Sequence, residues 1–553
     1  MINRLFQKGA TVLQQKQSNV LAAAWVMIVC YGCSMILGMI SERLLVGYFF
    51  GCCSEQLDVY YAAFRIPDTL FQLLVTGALS AAFIPVFSQT LQKSETEAYK
   101  LAATVLNGLL GGFGVLAVVT AIFAPQLSRL ITGDFNDGQI ALMAHLTRIL
   151  LLSEACLLLS GYLTGILQSY QRFLASALAP VVYNLGIIAG IIWLAPRWGI
   201  YGPVWGVVIG AALHALIQVP ALKRVNWKYF WIWDFKKPAV KEMLRLMLPR
   251  TISLGVNQME ITGALWFVTS LSSGSLVLFN LAETLMQLPV RLLGVPMSQA
   301  AFPALSKMAK EKHQFGEILI ENLLQILYLV LPLTTILLIL RIPIVRLVYG
   351  AATFPWQATV LTGRTLGMFV LAIPAQAMIQ LLVRGFYAQK DTKTPLVIGL
   401  VSVGMYLGLS YVFTFVFHWG LLGVAGATSL ASLVQWGLLL EFLNKKVGLV
   451  SQQLVVPIVK LLATTLLMAV CLWILMRELD KQVFDTTRVL PLIALTVTVT
   501  ATGLAVYLGL CHWLEVGQQD TLLKLFYRFP MTKKGVEKIQ TWAGSWSEVT
   551  RRK

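Results

Sequence analysis

Eight ionisable residues stand where hydrocarbon would surround them: Glu42, Arg43, Asp58, Arg65, Asp68, Glu260, Glu283 and Arg291, each within or at the edge of a long apolar run. A charge at bilayer depth costs roughly 2.5–3.5 kcal/mol unless it is paired or hydrated, so these residues point to a wet cavity or pathway. Guanidinium groups grip phosphate through a planar fork, which suits Arg43, Arg65 and Arg291 to an anionic headgroup. The carboxylates Glu42, Asp58, Asp68, Glu260 and Glu283 suit ion pairing with those arginines, or the loading and release of Na+ or H+. Spacing places Arg65 with Asp68, and Glu283 with Arg291, on shared helix faces, with Pro67 bending the first pair. Arg148, Glu154, Arg364, Arg384 and Lys460 read as snorkelling or isolated charges.

This is chemistry of binding and passage, and no enzyme motif accompanies it. His145, His214, His313, His418 and His512 are scattered without metal-ligand spacing, and no phosphate-binding glycine loop is present. The chain therefore reads as a non-enzyme without cofactor or metal, and its sequence argues against ATP-driven transport by this chain alone. Cys30-x-x-Cys33 lies inside an apolar run and Cys52 adjoins Cys53, which suits packing better than redox chemistry. His214 reads as a satisfied polar group between helices.

The elements that must hold these residues are membrane helices. Mean hydropathy is +0.74, with 57% hydrophobic and 12% charged residues among 553, about half the charge of a soluble chain. About fourteen apolar stretches long enough to span recur near 20–50, 57–89, 99–123, 138–168, 173–195, 201–222, 241–271, 275–306, 315–340, 358–388, 394–417, 420–443, 452–476 and 489–513. Strand-like alternation is absent, so the predicted fold is all-α and integral to the membrane. The net charge of +18 concentrates in alternate connectors, notably Lys223, Arg224, Lys228, Lys236, Lys237 and Lys241. That is a positive-inside signal placing both termini in the cytoplasm, with anionic lipids rather than nucleic acid as partners.

Short motifs echo at a spacing of roughly 220 residues. Trp198-Gly199-Ile200-Tyr201-Gly202 returns as Trp419-Gly420-Leu421-Leu422-Gly423, and Ala81-Ala82-Phe83 as Ala300-Ala301-Phe302. Six spans separate the copies, so both run the same way. The expected organisation is a lobe over 1–223 (helices 1–6), a second over 224–446 (helices 7–12), two extra helices over 447–513 and a basic cytoplasmic tail over 514–553. Parallel repeats of this kind suit alternating access around a central site. Pro67, Pro85, Pro249, Pro289, Pro296 and Pro303, with Gly77, Gly255 and Gly294, predict bends in spans two, seven and eight. The aromatic run from Trp227 to Trp233 predicts an interfacial segment joining the lobes.

Several stretches resemble one family. Gly385-Phe386-Tyr387-Ala388-Gln389-Lys390-Asp391-Thr392-Lys393-Thr394-Pro395 closely resembles the tenth-to-eleventh helix junction of the MurJ/MviN family. So do Phe64-Arg65-Ile66-Pro67-Asp68 and Gly77-Ala78-Leu79-Ser80-Ala81-Ala82-Phe83-Ile84-Pro85 of span two, and Leu293-Gly294-Val295 with Pro303-Ala304-Leu305-Ser306-Lys307 of span eight. The resemblance covers about residues 20–513. It implies a flippase of lipid II, the polyprenyl-pyrophosphate-linked peptidoglycan precursor, in the bacterial inner membrane and in the superfamily of multidrug and polysaccharide exporters. Asp58 and Arg65 match the family. Its cavity arginines are largely replaced: they fall on Met35, Ser41, Phe71, Gln72 and Thr284, while Glu42 and Glu283 hold its acidic positions and Arg43 and Arg291 stand nearby.

The expectation is a flippase in which Arg43, Arg65, Arg291, Gln72 and Thr284 meet the substrate, and Glu42, Asp58, Asp68, Glu260 and Glu283 pair with them or couple to Na+, H+ or the membrane potential. Two alternatives accompany it. One is a cation-coupled exporter of amphipathic small molecules or of another polyprenyl-linked saccharide. The other is a non-transporting cell-wall scaffold.

Overall fold

A computed structural model describes residues 20–518 except 77–82, 224, 226, 228, 449–450 and 485–487. Gly77, the Ala81-Ala82 motif and the basic tail beyond 518 thus lie outside the described residues. The chain is helical, with no strand among the described residues. It opens with α1 (Val20–Ala63), α2 (Arg65–Phe71), α3 (Ile84–Lys93), α4 (Glu95–Ile122), α5 (Ala124–Ile131), α6 (Asp137–Ser169) and α7 (Leu174–Ala189). The middle holds α8 (Ala195–Trp198), α9 (Tyr201–Leu216), α10 (Val219–Lys223), α11 (Pro238–Thr269), α12 (Ser275–Pro289), α13 (Val295–Lys307) and α14 (Lys312–Ile339). It closes with α15 (Arg341–Tyr349), α16 (Trp356–Phe369), α17 (Ala372–Ala388), α18 (Lys393–Tyr411), α19 (Leu421–Val447), α20 (Ser451–Gln482) and α21 (Val489–Trp513).

Among the described residues, eleven helices are long and apolar enough to cross a membrane, or twelve if α16 and α17, bent by 44°, form one span. The number falls below the fourteen expected stretches for two physical reasons. Val29–Val75 counts as one helical run, although it comprises both of the first two expected stretches. A straight helix would hold Glu42 and Tyr61 about 28 Å apart, yet the Tyr61 hydroxyl donates to Glu42. The run therefore folds back, at the non-helical backbone of Cys53 (φ −149°, ψ 45°). The second reason is α11, which carries Glu242, Arg245 and Glu260 and is too polar to qualify.

Wide π turns interrupt several spans, at Gln72–Thr76, Gly190–Leu194, Val290–Gly294 and Val412–Val416. They fall in pairs at nearly the spacing of the sequence echoes. Gly199 and Gly420, the glycines of the echoed motif, adopt φ of +54° and +55°, a left-handed geometry that glycine alone enters freely.

Two compact units divide the described residues. The first takes the chain to Glu283, with Val345–Thr365 and Gly399–Ala431; the second takes Thr284–Ile344, Leu366–Ile398 and the chain from Ser432 onward. In the first unit, α7 and α9 meet through glycine. A methyl group on Gly190 would come within 2.5 Å of the Gly206 Cα, and Gly186 is equally tight against Gly210. Small residues let membrane helices approach until dispersion replaces the missing hydrophobic drive.

The aromatic connector is an extended strap laid along α4. Asn107 Nδ2 donates to the Ile232 carbonyl at 3.0 Å and Oδ1 accepts from the Tyr229 hydroxyl at 2.6 Å. Alternate side chains, Trp227, Tyr229, Trp231, Trp233 and Phe235, form a file with ring centroids 6.0–6.4 Å apart, as a period of two requires. Trp233 and Phe235 sit over Gly111 and Gly108 of α4.

In the second unit α13 packs on α17, and Gly294 lets the two backbones approach: a Cβ there would meet the Ala377 Cα at 2.9 Å. α20 and α21 pack on α14, where the buried Tyr507 hydroxyl donates to the Tyr328 carbonyl at 2.9 Å. Between α17 and α18, Asp391 caps α18: its Oδ1 accepts from the Lys393 and Thr394 amides at 3.1 and 3.0 Å, and Oδ2 takes the Thr394 hydroxyl at 2.7 Å and Lys446. Burial pushes its carboxyl up, but these donors outweigh burial and hold the acid down at about 2.

Candidate functional site

The polar interior of the first unit is organised by α2, a seven-residue helix isolated between Phe64 and the π turn at Gln72. Pro67 in its first turn has no amide to satisfy there, so the short helix starts cleanly. Its two charged residues reach in different directions. Arg65, only 9% exposed, donates to α11: Nε to the Thr262 hydroxyl at 3.0 Å and Nη2 to the Gln258 carbonyl at 2.9 Å, with the Gln258 side-chain oxygen as a further acceptor. Asp68 and Glu283 lie within its electrostatic reach. Asp68 lies within electrostatic reach of the Glu154 carboxyl on α6.

Glu154 corrects the snorkelling reading. It is 3% exposed and near the middle of the 33-residue α6, too deep to reach an interface. Its Oε2 finds no donor among the other described residues. That central position was the available signal. Gln258 and Thr262, the acceptors that hold Arg65, were also not singled out from the sequence, where neutral polar residues in a helix carry little signal.

The other expected residues fall as follows. Glu260 stands beside Glu283, with Tyr406 near both. Glu42 accepts from Tyr61 and has Tyr60 and Tyr349 around it. Arg43 makes its contact elsewhere, donating from Nη1 to the Leu347 carbonyl near the end of α15 at 2.7 Å, and lines an open groove with Tyr48, Ile191 and Ala351. Asp58, 4% exposed, receives the Gly274 amide at 2.5 Å and the Val277 amide at 2.9 Å. A carboxylate is thus set on the positive end of α12. Gln72 is half-buried in its π turn. In the second unit, Thr284 is exposed on α12, and Arg291 is exposed in the π turn Val290–Gly294. The expected set therefore splits into an Arg65–Asp68–Glu283–Glu260 group, a Glu42–tyrosine group, an Asp58 cap, and Arg43 and Arg291 apart from these.

His214 is a satisfied polar group, as expected. Its Nδ1 lies 2.5 Å from the Ser160 hydroxyl, and Gln218 bridges Ser160 and the Thr164 hydroxyl. Neutral polar groups of this kind fasten α6 to α9 inside the first unit.

A family model described as lipid II flippase MurJ matches residues 46–495. The probable lipid II flippase MurJ of Bdellovibrio bacteriovorus is 30% identical over 525 residues, covering 92% of this chain and 97% of that protein. The lipid II flippase MurJ of Burkholderia cenocepacia is 28% identical over 406 residues, covering 71% and 77%. Among solved structures, lipid II flippase MurJ in an inward closed conformation aligns with TM-score 0.70 at 24% identity, over 87% of this chain and 98% of that one. An inward-facing multidrug transporter of the MATE family aligns with TM-score 0.61 at 14% identity, over 75% and 94%. Both structural likenesses establish the helical fold.

Proposed function

The chain belongs to the lipid II flippase MurJ family, and from that premise we propose that it moves lipid II from the inner to the outer leaflet of the bacterial inner membrane by alternating access. The observation that carries the reading is the family match across residues 46–495, laid over a multi-pass helical chain with a charged interior. The lobes of this reading are 1–223 and 224–446, with the helices of 447–513 beside them. Paired π turns and the matching backbone of Gly199 and Gly420 support it.

In this mechanism the pyrophosphate is taken first by Arg291, whose guanidinium is exposed. Arg65 follows by exchanging Gln258 and Thr262 for phosphate oxygens, and Arg43 by leaving the Leu347 carbonyl. A fork that already has acceptors arrives desolvated and oriented, which cuts the cost of ordering it on the ligand. Gln72 and Thr284, at positions where the family places arginines, meet the saccharide. The polyprenyl tail stays in lipid. Asp58 latches the outer end through the amides of α12, and Glu42, Asp68, Glu260 and Glu283 hold the arginines or couple to Na+, H+ or the membrane potential. The cytoplasmic termini and basic connectors contact anionic lipids.

A complementation experiment tests this. Cells depleted of their own lipid II flippase should grow when they carry this protein, and alanine at Arg65 and Arg291 together should abolish growth at equal membrane abundance. Failure of the inserted wild type to restore growth overturns the proposal. The adjacency of Glu260 and Glu283 favours, as a second reading, a cation-coupled exporter of amphipathic compounds. Efflux that collapses with the ion gradient, without rescue of growth, would select it.

A further inference from the structure

We propose that the groove beside Arg43 is a binding site for one membrane phospholipid, with the guanidinium holding the lipid phosphate. The inference goes beyond the transport reading and does not depend on it. A guanidinium carries five N–H donors. In Arg43, Nη1 donates to the Leu347 carbonyl at 2.7 Å, and that carbonyl is its only hydrogen-bond partner among the described residues. Glu42, its neighbour in the chain, is engaged with Tyr61 instead. No carboxylate among the described residues pairs with Arg43. A half-buried cation in an apolar groove thus lacks its counter-ion. In a membrane protein the anion at hand for such a place is a lipid phosphate.

The groove is built for a molecule that is apolar along most of its length. Its volume is about 370 Å³, within the range of small-molecule sites. Leu44, Ile191 and Ile192 offer an apolar wall to an acyl chain, with Arg43 as the only charged residue in the lining. Tyr48, Ile192 and Trp193 are 44%, 50% and 72% exposed. Large side chains left open on a spanning helix face lipid, and Tyr and Trp favour headgroup depth. Ile191 and Ile192 belong to the π turn Gly190–Leu194, an irregularity frequent at functional sites. The facing wall is already locked to α1. The Thr353 hydroxyl donates to the Gly47 carbonyl at 2.5 Å, and a Cβ on Gly51 would come within 3.0 Å of the Thr353 carbonyl oxygen.

Charge selects the occupant. One guanidinium balances the single negative charge of a phosphodiester, whereas a diphosphate would bring more charge than the lining can match. The donors that Leu347 leaves unused suit the two non-ester oxygens of a phosphodiester. Leu347 lies in the last turn of α15, where carbonyls have no partner within the helix. Arg43 therefore caps α15 with one edge of its fork and presents the other edge to the groove. A resident phospholipid has to leave before Arg43 can serve any other phosphate, so occupancy of the groove acts as a brake on that arginine.

The test uses the full-length protein, stripped of lipid in detergent and titrated in native mass spectrometry. The probes are phosphatidylglycerol, a diacylglycerol with the same chains, and a polyprenyl diphosphate. One phosphatidylglycerol should bind the wild type about tenfold more tightly than Arg43→Gln, as expected for a charge-assisted contact. Glutamine keeps a donor for the Leu347 carbonyl, so the thermal midpoint should hold while the lipid is lost. Diacylglycerol, which lacks the phosphate, should bind both proteins alike. Ile192→Trp fills the groove and leaves Arg43 in place, and it too should weaken phosphatidylglycerol. Wild-type affinity in either variant overturns the site, and if Arg43→Gln does not fold, Ile192→Trp decides alone. A polyprenyl diphosphate that binds more tightly than phosphatidylglycerol, and loses that advantage in Arg43→Gln, overturns the assignment to a phospholipid.

Discussion

The hydroxyls of Ser54 and Ser273 lie 3.1 Å apart in space and 219 residues apart in sequence. That separation is close to the spacing of the Trp-Gly echo in the sequence. Asp58 and Val277 repeat it, joined at 2.9 Å and again 219 residues apart. Together the two contacts hold the turn after Cys53 against the start of α12.

Removal of the Asp58 carboxylate should loosen that meeting point. Asp58→Ala forfeits a charged cap on the first amides of α12, worth about 1–2 kcal/mol. In a background lacking Cys52 and Cys53, a membrane-impermeant maleimide should label Ser273→Cys several-fold faster when Asp58 is alanine. Equal rates would count against the latch.

Arg65 should not tolerate lysine. Its guanidinium serves three acceptors on α11 from two nitrogens, and a single ammonium cannot reproduce that fork. Arg65→Lys is expected to fail complementation nearly as fully as Arg65→Ala. Combined with Gln258→Ala, either change should cost less than the sum of the separate effects, as in other coupled pairs. Strict additivity would deny the contact.

The glycine seam between α7 and α9 gives a stability prediction. Gly190→Ala and Gly206→Ala each place a methyl group into opposing backbone, an overpacking that costs roughly 1–3 kcal/mol. Both should lower the thermal midpoint in detergent, whereas Gly112→Ala, which meets open space, should not.

Asp391 supplies the pH dependence. Its folded acidity, about 2, lies below the ordinary aspartate value of about 3.9. A depressed acid stabilises the fold above the unfolded value and loses that contribution as pH falls through the folded one. Asp391→Asn should therefore lower the thermal midpoint at neutral pH by the equivalent of about 1 kcal/mol, discounted because Lys446 is partly exposed. The gap should close between about pH 4 and pH 2.

Hydropathy alone made the helical architecture legible, and the two Trp-Gly motifs singled out glycines that share one backbone geometry. The fold-back at Cys53 was legible as a break between the stretches 20–50 and 57–89, where the polar residues Ser54, Glu55 and Gln56 interrupt the apolar run. Arg65 and Asp68 were legible as a charged pair in a span. Their opposite partners, Gln258 and Glu154, depend on which helices pack around α2, and no local pattern encodes that. The aromatic connector was recognisable by composition, but its path along α4 is fixed by Asn107 and two glycines whose roles appear only in contact.

The π turns change how these helices can move. Each houses a surplus residue, and a surplus residue can migrate along a helix while the hydrogen-bond ladder reforms behind it. Such migration turns everything beyond it by about 100°, enough to swap the face a side chain presents. With matched turns at Gln72–Thr76 and Val290–Gly294, Gln72 and Arg291 ride on equivalent swivels, one in each half of the chain.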